Sequence, residues 1–435
     1  MSSLDTFFRL TENKTSVRQE CLAGLTNFMA MAYLILVVPG MLADAGMPHQ
    51  MAVVATIWAT VLGTLLMGLW AKYPVAVAPG LGICAYFSYQ ICGKGDFTLP
   101  EALGAVFISG VIFLLLTVTR VRQMIIDAVP ADLKQAIIVG IGAFIAFIGM
   151  KNCGLVVNDP STFVSLGNVT RAETLLAVAG VFLMGVLQAR GVRSALLIGI
   201  VAVTVVSLVL GVTPLPKEAA INAGMLFPGE TLFQLDIMGA LSHGLFNIVI
   251  ALTLADMFDS MGVLIGLAQK AGFVRSDGHI DNLDSAMTVD AVSTMGGAVL
   301  GVPTVTAYVE CTAGVALGGR TGLAAVVTAL LFLCSLLAAP LVMLVPSHAT
   351  APALIIVGAL MMQDVGKINF SRFSVALPAF LTIIAMPLTF NIATGFGFGF
   401  ISWCGIRILM GAWREVSPIM IVVALCFAAN FAMRF

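Results

Sequence analysis

Apolar residues in this chain come in long uninterrupted blocks separated by short polar joints. The blocks occupy 24–42, 51–70, 74–92, 100–119, 133–151, 174–190 and 194–212, then, after a loop at 213–243, 244–267, 285–301, 302–317, 321–345, 350–365, 373–389 and 392–410. A membrane-spanning helix needs about 20 apolar residues, fewer where it is broken. The pattern therefore predicts an all-α membrane protein with seven spans before the loop and seven after it. A last run, 418–433, is short and reads as a further span or an interfacial helix.

The positions of the cations test this count. With the N-terminus in the cytosol, sixteen lysines and arginines fall on inside segments and four (Lys94, Lys151, Arg171 and Lys217) fall outside, with Arg434 unassigned. A miscounted span would have scrambled that split. Residues 1–23 carry Asp5, Arg9, Glu12, Lys14, Arg18 and Glu20 and read as a polar cytosolic tail rather than a cleavable signal.

An odd number of spans per half means that the second half enters the membrane from the opposite side. That predicts two inverted repeats, 24–212 and 244–435, joined by the 213–243 linker. The third block of each half is unusual. PVAVAPGLGICAYFSY (74–89) and GVPTVTAYVECTAGVALGG (301–319) both carry Pro, Gly and β-favouring residues in mid-membrane, with Pro79 and Pro303 in matching places. Paired, interrupted segments of this kind mark a transporter's binding site, because free backbone groups are tolerated in lipid only where they line a cavity.

Composition sharpens this. Of 435 residues 60% are hydrophobic and 10% charged, and the net charge is −1, so nothing suits nucleic acid. The eight cysteines form no CxxC pair and the four histidines show no ligand spacing, so no metal and no cofactor is expected.

Against that apolar background, TLADMFDSMGVLIG (253–266) places Asp256 and Asp259 on one helical face, and Glu310 sits inside the second broken segment. A charge at the bilayer centre costs about 2.5–3.5 kcal/mol, so acids there need a cavity or a partner. Neighbouring carboxyls in a low dielectric favour holding a proton between them. A carboxylate accepts hydrogen bonds and a carboxylic acid also donates one. This chemistry suits a neutral, planar, hydrogen-bonding solute carried with a proton, and it repels anions. Phe28, Phe87 and Tyr308 are candidates to stack on such a ring, as are Tyr86 and Phe258. Asn27 is placed either to bond substrate or to join helices. Asp290 and Arg320 lie toward the cytosolic side, where an ion pair or separate capping roles are expected.

The strings GLTNFMAMAYLILVVPGML, APGLGICAYF, DMFDSMGVLIG, VTAYVECTAGVALGGRTGL and LVPSHATAPALIIVGALM together resemble the AzgA-like purine permeases of the nucleobase–cation symporter and nucleobase–ascorbate transporter superfamily. The resemblance runs from about residue 4 to 430. It implies fourteen spans in two inverted repeats, a core domain (about 24–119 plus 244–345) and a gate domain (about 133–212 plus 350–435). It also implies a short strand in each of spans 3 and 10, with the base bound between them. The implied activity is proton-coupled import of adenine, guanine or hypoxanthine across a bacterial inner membrane. The implied site comprises Asp256, Asp259 and Glu310, which also couple the proton, with backbone around Cys84–Ala85 and Val309–Glu310, and a homodimer in lipid is compatible with it. The chain departs from the pattern at Cys84, where many relatives have Asn, and at Asn27, where Thr is common. Both departures bear on which purine is preferred.

Two rivals fit less well. An anion transporter of the same 7+7 architecture would favour a positive or neutral centre rather than three acids. An intramembrane aspartyl protease needs acids facing one another across a water, whereas Asp256 and Asp259 share one helix and no GxGD string occurs.

Overall fold

A computed structural model describes residues 3–93, 97–119, 121–214, 226–229, 231–242, 246–274 and 280–433. Lys94, Arg120, Lys217, Arg275 and Arg434, all counted above, lie outside the described residues, as does part of the 213–243 linker.

The helices follow the apolar blocks closely. The first half contains α1 (Ser3–Phe8), α2 (Val17–Met31), α3 (Leu34–Asp44), α4 (His49–Leu66), α5 (Leu81–Tyr86), α6 (Leu99–Val118), α7 (Val121–Ala128), α8 (Ala131–Asn152), α9 (Ala172–Ala189) and α10 (Ala195–Val209). The second contains α11 (Ile237–Ser242), α12 (Phe246–Ala271), α13 (Leu283–Leu300), α14 (Thr312–Ala316), α15 (Gly322–Cys334), α16 (Ala339–Val342), α17 (Ser347–Met361), α18 (Phe373–Thr389), α19 (Ile392–Leu409) and α20 (Pro418–Met433). Among the described residues, nine helical stretches are long and apolar enough to cross a membrane.

Local sequence explains the joints. Thr98 caps α6 with a full capping box, its hydroxyl accepting from Glu101 N–H and the Glu101 carboxylate accepting from Thr98 N–H, with Pro100 in the first turn. The first span begins earlier than its apolar block suggests. Ser16 caps α2, and α2 and α3 form one stretch, Val17–Asp44, through Ala32 and Tyr33. Part of the supposed tail is thus membrane helix. A largely exposed hairpin, β2 (Val156–Asp159) with β3 (Phe163–Leu166), fills the connection between α8 and α9.

The two unusual blocks each break into strand and helix. β1 (Val77–Pro79) and β4 (Val305–Ala307) pair antiparallel, Val77 opposite Ala307, Ala78 opposite Thr306 and Pro79 opposite Val305. The ladder extends by Gly80 N–H to Thr304 O (3.0 Å) and Tyr308 N–H to Ala76 O (3.3 Å). The outer edges of this two-stranded ribbon need partners too, since no water serves them in mid-membrane. Threonines from matching helices supply them. Thr64 of α4 accepts from Val77 N–H (3.1 Å) and donates to Val77 O (2.9 Å). Thr294 of α13 accepts from Val305 N–H (3.2 Å). The residues of β1 and β4 are fully or almost fully buried.

Around the ribbon, α2, α4, α6, α13 and α15 pack on one another, while α8, α9, α10, α17, α18 and α19 form a second packed group. The groups meet where α8 passes α5 and α12: the α-carbons of Gly82 and Gly262 face Ile141 and Ile138. Gly82 is small because a β-carbon there would collide with Ile141.

Candidate functional site

The ends of the ribbon carry the acids. Asp259, on α12, is half-buried, and its Oδ2 accepts from the Thr306 hydroxyl at 3.3 Å. A β-carbon on Gly80 would lie 3.6 Å from the same oxygen, so the carboxylate sits over the turn from β1 into α5. Glu310 is also half-buried and follows β4 in a single 3₁₀ turn, Val309–Cys311, that leads into α14. Its Oε1 accepts from the Tyr33 hydroxyl at 2.7 Å, while its Oε2 is enclosed with no hydrogen-bond partner among the described residues. Val309 beside it, two residues past the end of the buried β4, is 55% exposed, so the chain opens to its surroundings at this point.

Asp256 stands one turn back on α12 and is fully buried. Its Oδ2 accepts from Thr294 Oγ1 at 2.9 Å, so the threonine that holds β4 also holds this acid. Asp256 Oδ1 has no partner among the described residues. Asp256 and Asp259 therefore differ along one helical face, Asp259 half-buried and Asp256 fully buried behind it.

Asp290 and Arg320 do not pair with each other; of the two expected arrangements, an ion pair or separate roles, the structure has separate roles. Asp290 is fully buried, accepts from the Ser260 hydroxyl and lies within electrostatic range of Asp256. Arg320 is not its partner. The Arg320 guanidinium donates to the carbonyls of Val315 (2.6 Å) and Gly319 (2.8 Å), and so caps the end of α14. The Ser260 partner had no sequence signal, because that hydroxyl sits on another helix and nothing in TVDAV points to it.

Asn27 joins helices. Fully buried on α2, it donates to Pro74 O (3.3 Å) and accepts from Gly314 N–H (3.1 Å). Gly314 has to be glycine, because any β-carbon would overlap the Asn27 amide. Cys84 and Ala85 are wholly buried, and Cys84 N–H already bonds Gly80 O at 2.8 Å. The backbone N–H groups at the start of α5 that the helix leaves unused are therefore earlier, at Leu81 to Ile83, rather than at Cys84–Ala85. Phe87 is fully buried, whereas Phe28 is half-buried, edge-on to Phe332 at 5.1 Å. The Tyr308 hydroxyl donates to Pro79 O, tying the two broken segments together.

Two residues in this region had no sequence signal. Tyr33 holds Glu310. Glu20, from the supposed tail, is fully buried, and its carboxylate accepts from the N–H groups of Arg320 (2.8 Å), Thr321 (3.3 Å) and Ala324 (3.2 Å) at the start of α15.

A ribbon built from two broken spans, with acids on its flank, is the arrangement expected of a membrane transporter. Comparison with known proteins agrees. The permease family model matches residues 18–398, and the chain belongs to that family, the nucleobase–ascorbate transporter family, whose members are permeases rather than enzymes. A chain of Methanocaldococcus jannaschii named as a permease, MJ0326, is 45% identical over 99% of this chain and 98% of its own length. The guanine/hypoxanthine permease PbuO of Bacillus subtilis is 40% identical, covering 97% and 98%, and the adenine permease AdeQ of Escherichia coli is 38% identical, covering 99% and 96%. Among solved structures, the transmembrane domain of the cyanobacterial bicarbonate transporter BicA superposes with a TM-score of 0.66 at 15% identity, covering 87% of this chain and 97% of that one. SLC26A9 superposes at 0.68 with 11% identity, covering 94% and 68%. These two share the fold.

Proposed function

We propose that this permease imports a purine nucleobase (adenine, guanine or hypoxanthine) together with a proton across a bacterial plasma membrane, with its N-terminus in the cytosol. The observation that carries the reading is the placing of Asp259 and Glu310 at the flank of the β1–β4 ribbon, beside the exposed Val309, in a chain whose full-length relatives are named as purine permeases. A carboxyl at each position offers an acceptor to ring N–H groups, and a donor when protonated. Phe28 and Tyr308 offer aromatic faces at the same opening. Asp256 stands behind as a store for charge or proton, rather than as a base contact.

In this reading the chain has fourteen spans. Those of the first half are 17–44, 49–71, 77–92, 99–118, 131–152, 172–189 and 195–209, and those of the second are 246–271, 283–300, 305–316, 322–342, 347–361, 373–389 and 392–409, with α20 lying outside the repeat. The group around α2, α4, α6, α13 and α15 is the core that carries the site, and the α8–α10 and α17–α19 group is the gate it moves against. A homodimer would anchor the gate in the bilayer.

The anion-transporter alternative rests on the shared fold of BicA and SLC26A9 alone, and three acids oppose it. The test is uptake into proteoliposomes of radiolabelled purine under an imposed pH gradient. Uptake should saturate and run uphill with the gradient. Glu310→Gln and Asp259→Asn should each lower uptake kcat/KM about 10- to 150-fold, the loss of one hydrogen bond to a charged group. Wild-type rates in both variants, or sulfate competing with purine for binding, would overturn the assignment.

A further inference from the structure

We infer that Tyr33 is a positioning residue that makes the two oxygens of Glu310 unequal and thereby fixes where this carboxyl meets both the proton and the base. The inference rests on the reading of Glu310 given above. Tyr33 lies on the first span, where α2 passes into α3, 277 residues away in sequence. It is 1% exposed, so its hydroxyl has no solvent to turn to. That hydroxyl donates to Oε1 at 2.7 Å, the length of a strong bond to a carboxylate. The other oxygen, Oε2, is enclosed and bonded to nothing among the described residues.

A carboxyl with one oxygen already accepting from a phenol has one face left for chemistry. When Glu310 takes up a proton, the proton adds to Oε2, the group goes from −1 to neutral, and the Tyr33 bond to Oε1 persists unchanged. Oε2 then donates where it previously accepted. The same atom that meets the ring edge of the base thus reports the state of protonation, so the hydrogen-bonding pattern offered to substrate reverses in one step at one place. Without Tyr33, proton and base could take either oxygen, and the carboxyl could turn about its side-chain torsion. Coupling would loosen before binding was lost. The titratable groups that face the carboxyl, besides Tyr33, are Tyr308 and Cys311 on its own segment and Asp259 from α12; the Tyr308 hydroxyl goes to Pro79 O, the Cys311 thiol lies against Ala76 and Met31, and Asp259 is bonded by Thr306, so none of these three supplies the missing partner to Oε2.

The experiment is Tyr33→Phe, which keeps the ring and removes only the hydroxyl. Purine KM and kcat are measured in proteoliposomes from pH 5.5 to 8.5, alongside Glu310→Gln and the double variant. Expected is a KM change of threefold or more in Tyr33→Phe, with the midpoint of its pH profile displaced by at least half a pH unit. Glu310→Gln carries an amide whose oxygen still accepts from Tyr33, so its profile should be flat, and adding Tyr33→Phe to it should move no pH midpoint. If Glu310→Gln cripples transport but Tyr33→Phe keeps the wild-type KM and pH profile, the inference about Tyr33 fails and the site reading stands. If Glu310→Gln itself behaves as wild type, the site reading fails. A melting curve for each variant separates loss of fold from loss of coupling. Should Tyr33→Phe fail to fold, Tyr33→Met, which keeps a long apolar side chain and has no donor, is measured in its place, and a wild-type pH midpoint there would equally count against the inference.

Discussion

Replacing Glu20 with alanine tests how the two halves are held together. The carboxylate comes from α2, is wholly buried, and takes three backbone N–H groups at the start of α15, about three hundred residues later. Helix starts leave such donors without intrahelical partners, and a negative charge there also complements the helix dipole. A buried donor stripped of its acceptor costs about 1–3 kcal/mol. Ala324 N–H keeps Thr321 O at 3.3 Å, so two donors, those of Arg320 and Thr321, lose their acceptor; they sum to as much as about 6 kcal/mol, and water entering the vacated space serves part of that need, leaving about 2–4 kcal/mol. For a chain of this size, scaling from smaller domains, that corresponds to a melting temperature lower by roughly 2–8 °C. The measurement is thermal unfolding of detergent-purified protein, with Glu12→Ala as the control. Glu12 pairs with Arg9 at 3.8 Å while both are well exposed, and such a pair contributes at most about 1 kcal/mol. Purine KM should stay within twofold of wild type in the folded fraction, because Glu20 does not touch the site. If Glu20→Ala melts with Glu12→Ala, the buried cap does not hold α15 and the reasoning fails.

Other outcomes follow from the same geometry. Asn27→Ala should lower stability by about 2–4 kcal/mol, since Gly314 N–H and Pro74 O both lose their partner, while purine preference stays unchanged; a switch of preferred base without loss of stability would make Asn27 a ligand instead of a joint. At the opposite end of the first span from Glu20, the Tyr89 hydroxyl donates to Asp44 (2.7 Å) and accepts from Asn152 (3.0 Å), while Lys151 lies 5.1 Å from the rings of both Tyr89 and Phe390. Tyr89→Phe should raise hydrogen–deuterium exchange in 87–93 and 148–154; unchanged exchange would show that this contact does not hold the two packed groups together.

Much of this arrangement was readable from residue order. Pro79 and Pro303 announced the broken spans because each stands with glycines and β-favouring residues, whereas Pro352, Pro378 and Pro387, without that company, lie inside helices. Asp256, Asp259 and Glu310 stood out because charge in an apolar run is costly by itself. What stayed hidden depends on distant partners. Glu20 looked like surface because it lies among Arg18, Gln19 and other polar residues, and only α15 makes it buried. Tyr33 looked like one more apolar aromatic. Asp290 and Arg320 are opposite in charge and were expected on the same side, yet each has another partner, a hydroxyl for the acid and carbonyls for the base.

The antiparallel contact between Val77–Pro79 and Val305–Ala307 also sets a schedule for biogenesis. The earlier strand leaves the ribosome 228 residues before its mate, counting from Val77 to Val305, and Thr64 can serve only one of its edges in the interval. Nascent first halves must therefore wait in the bilayer with amide groups exposed, sheltered by the insertion machinery or by lipid-headgroup water, until the later segment arrives. Co-expressed fragments split within the 213–243 linker should for the same reason be degraded when made singly and rescued when made together.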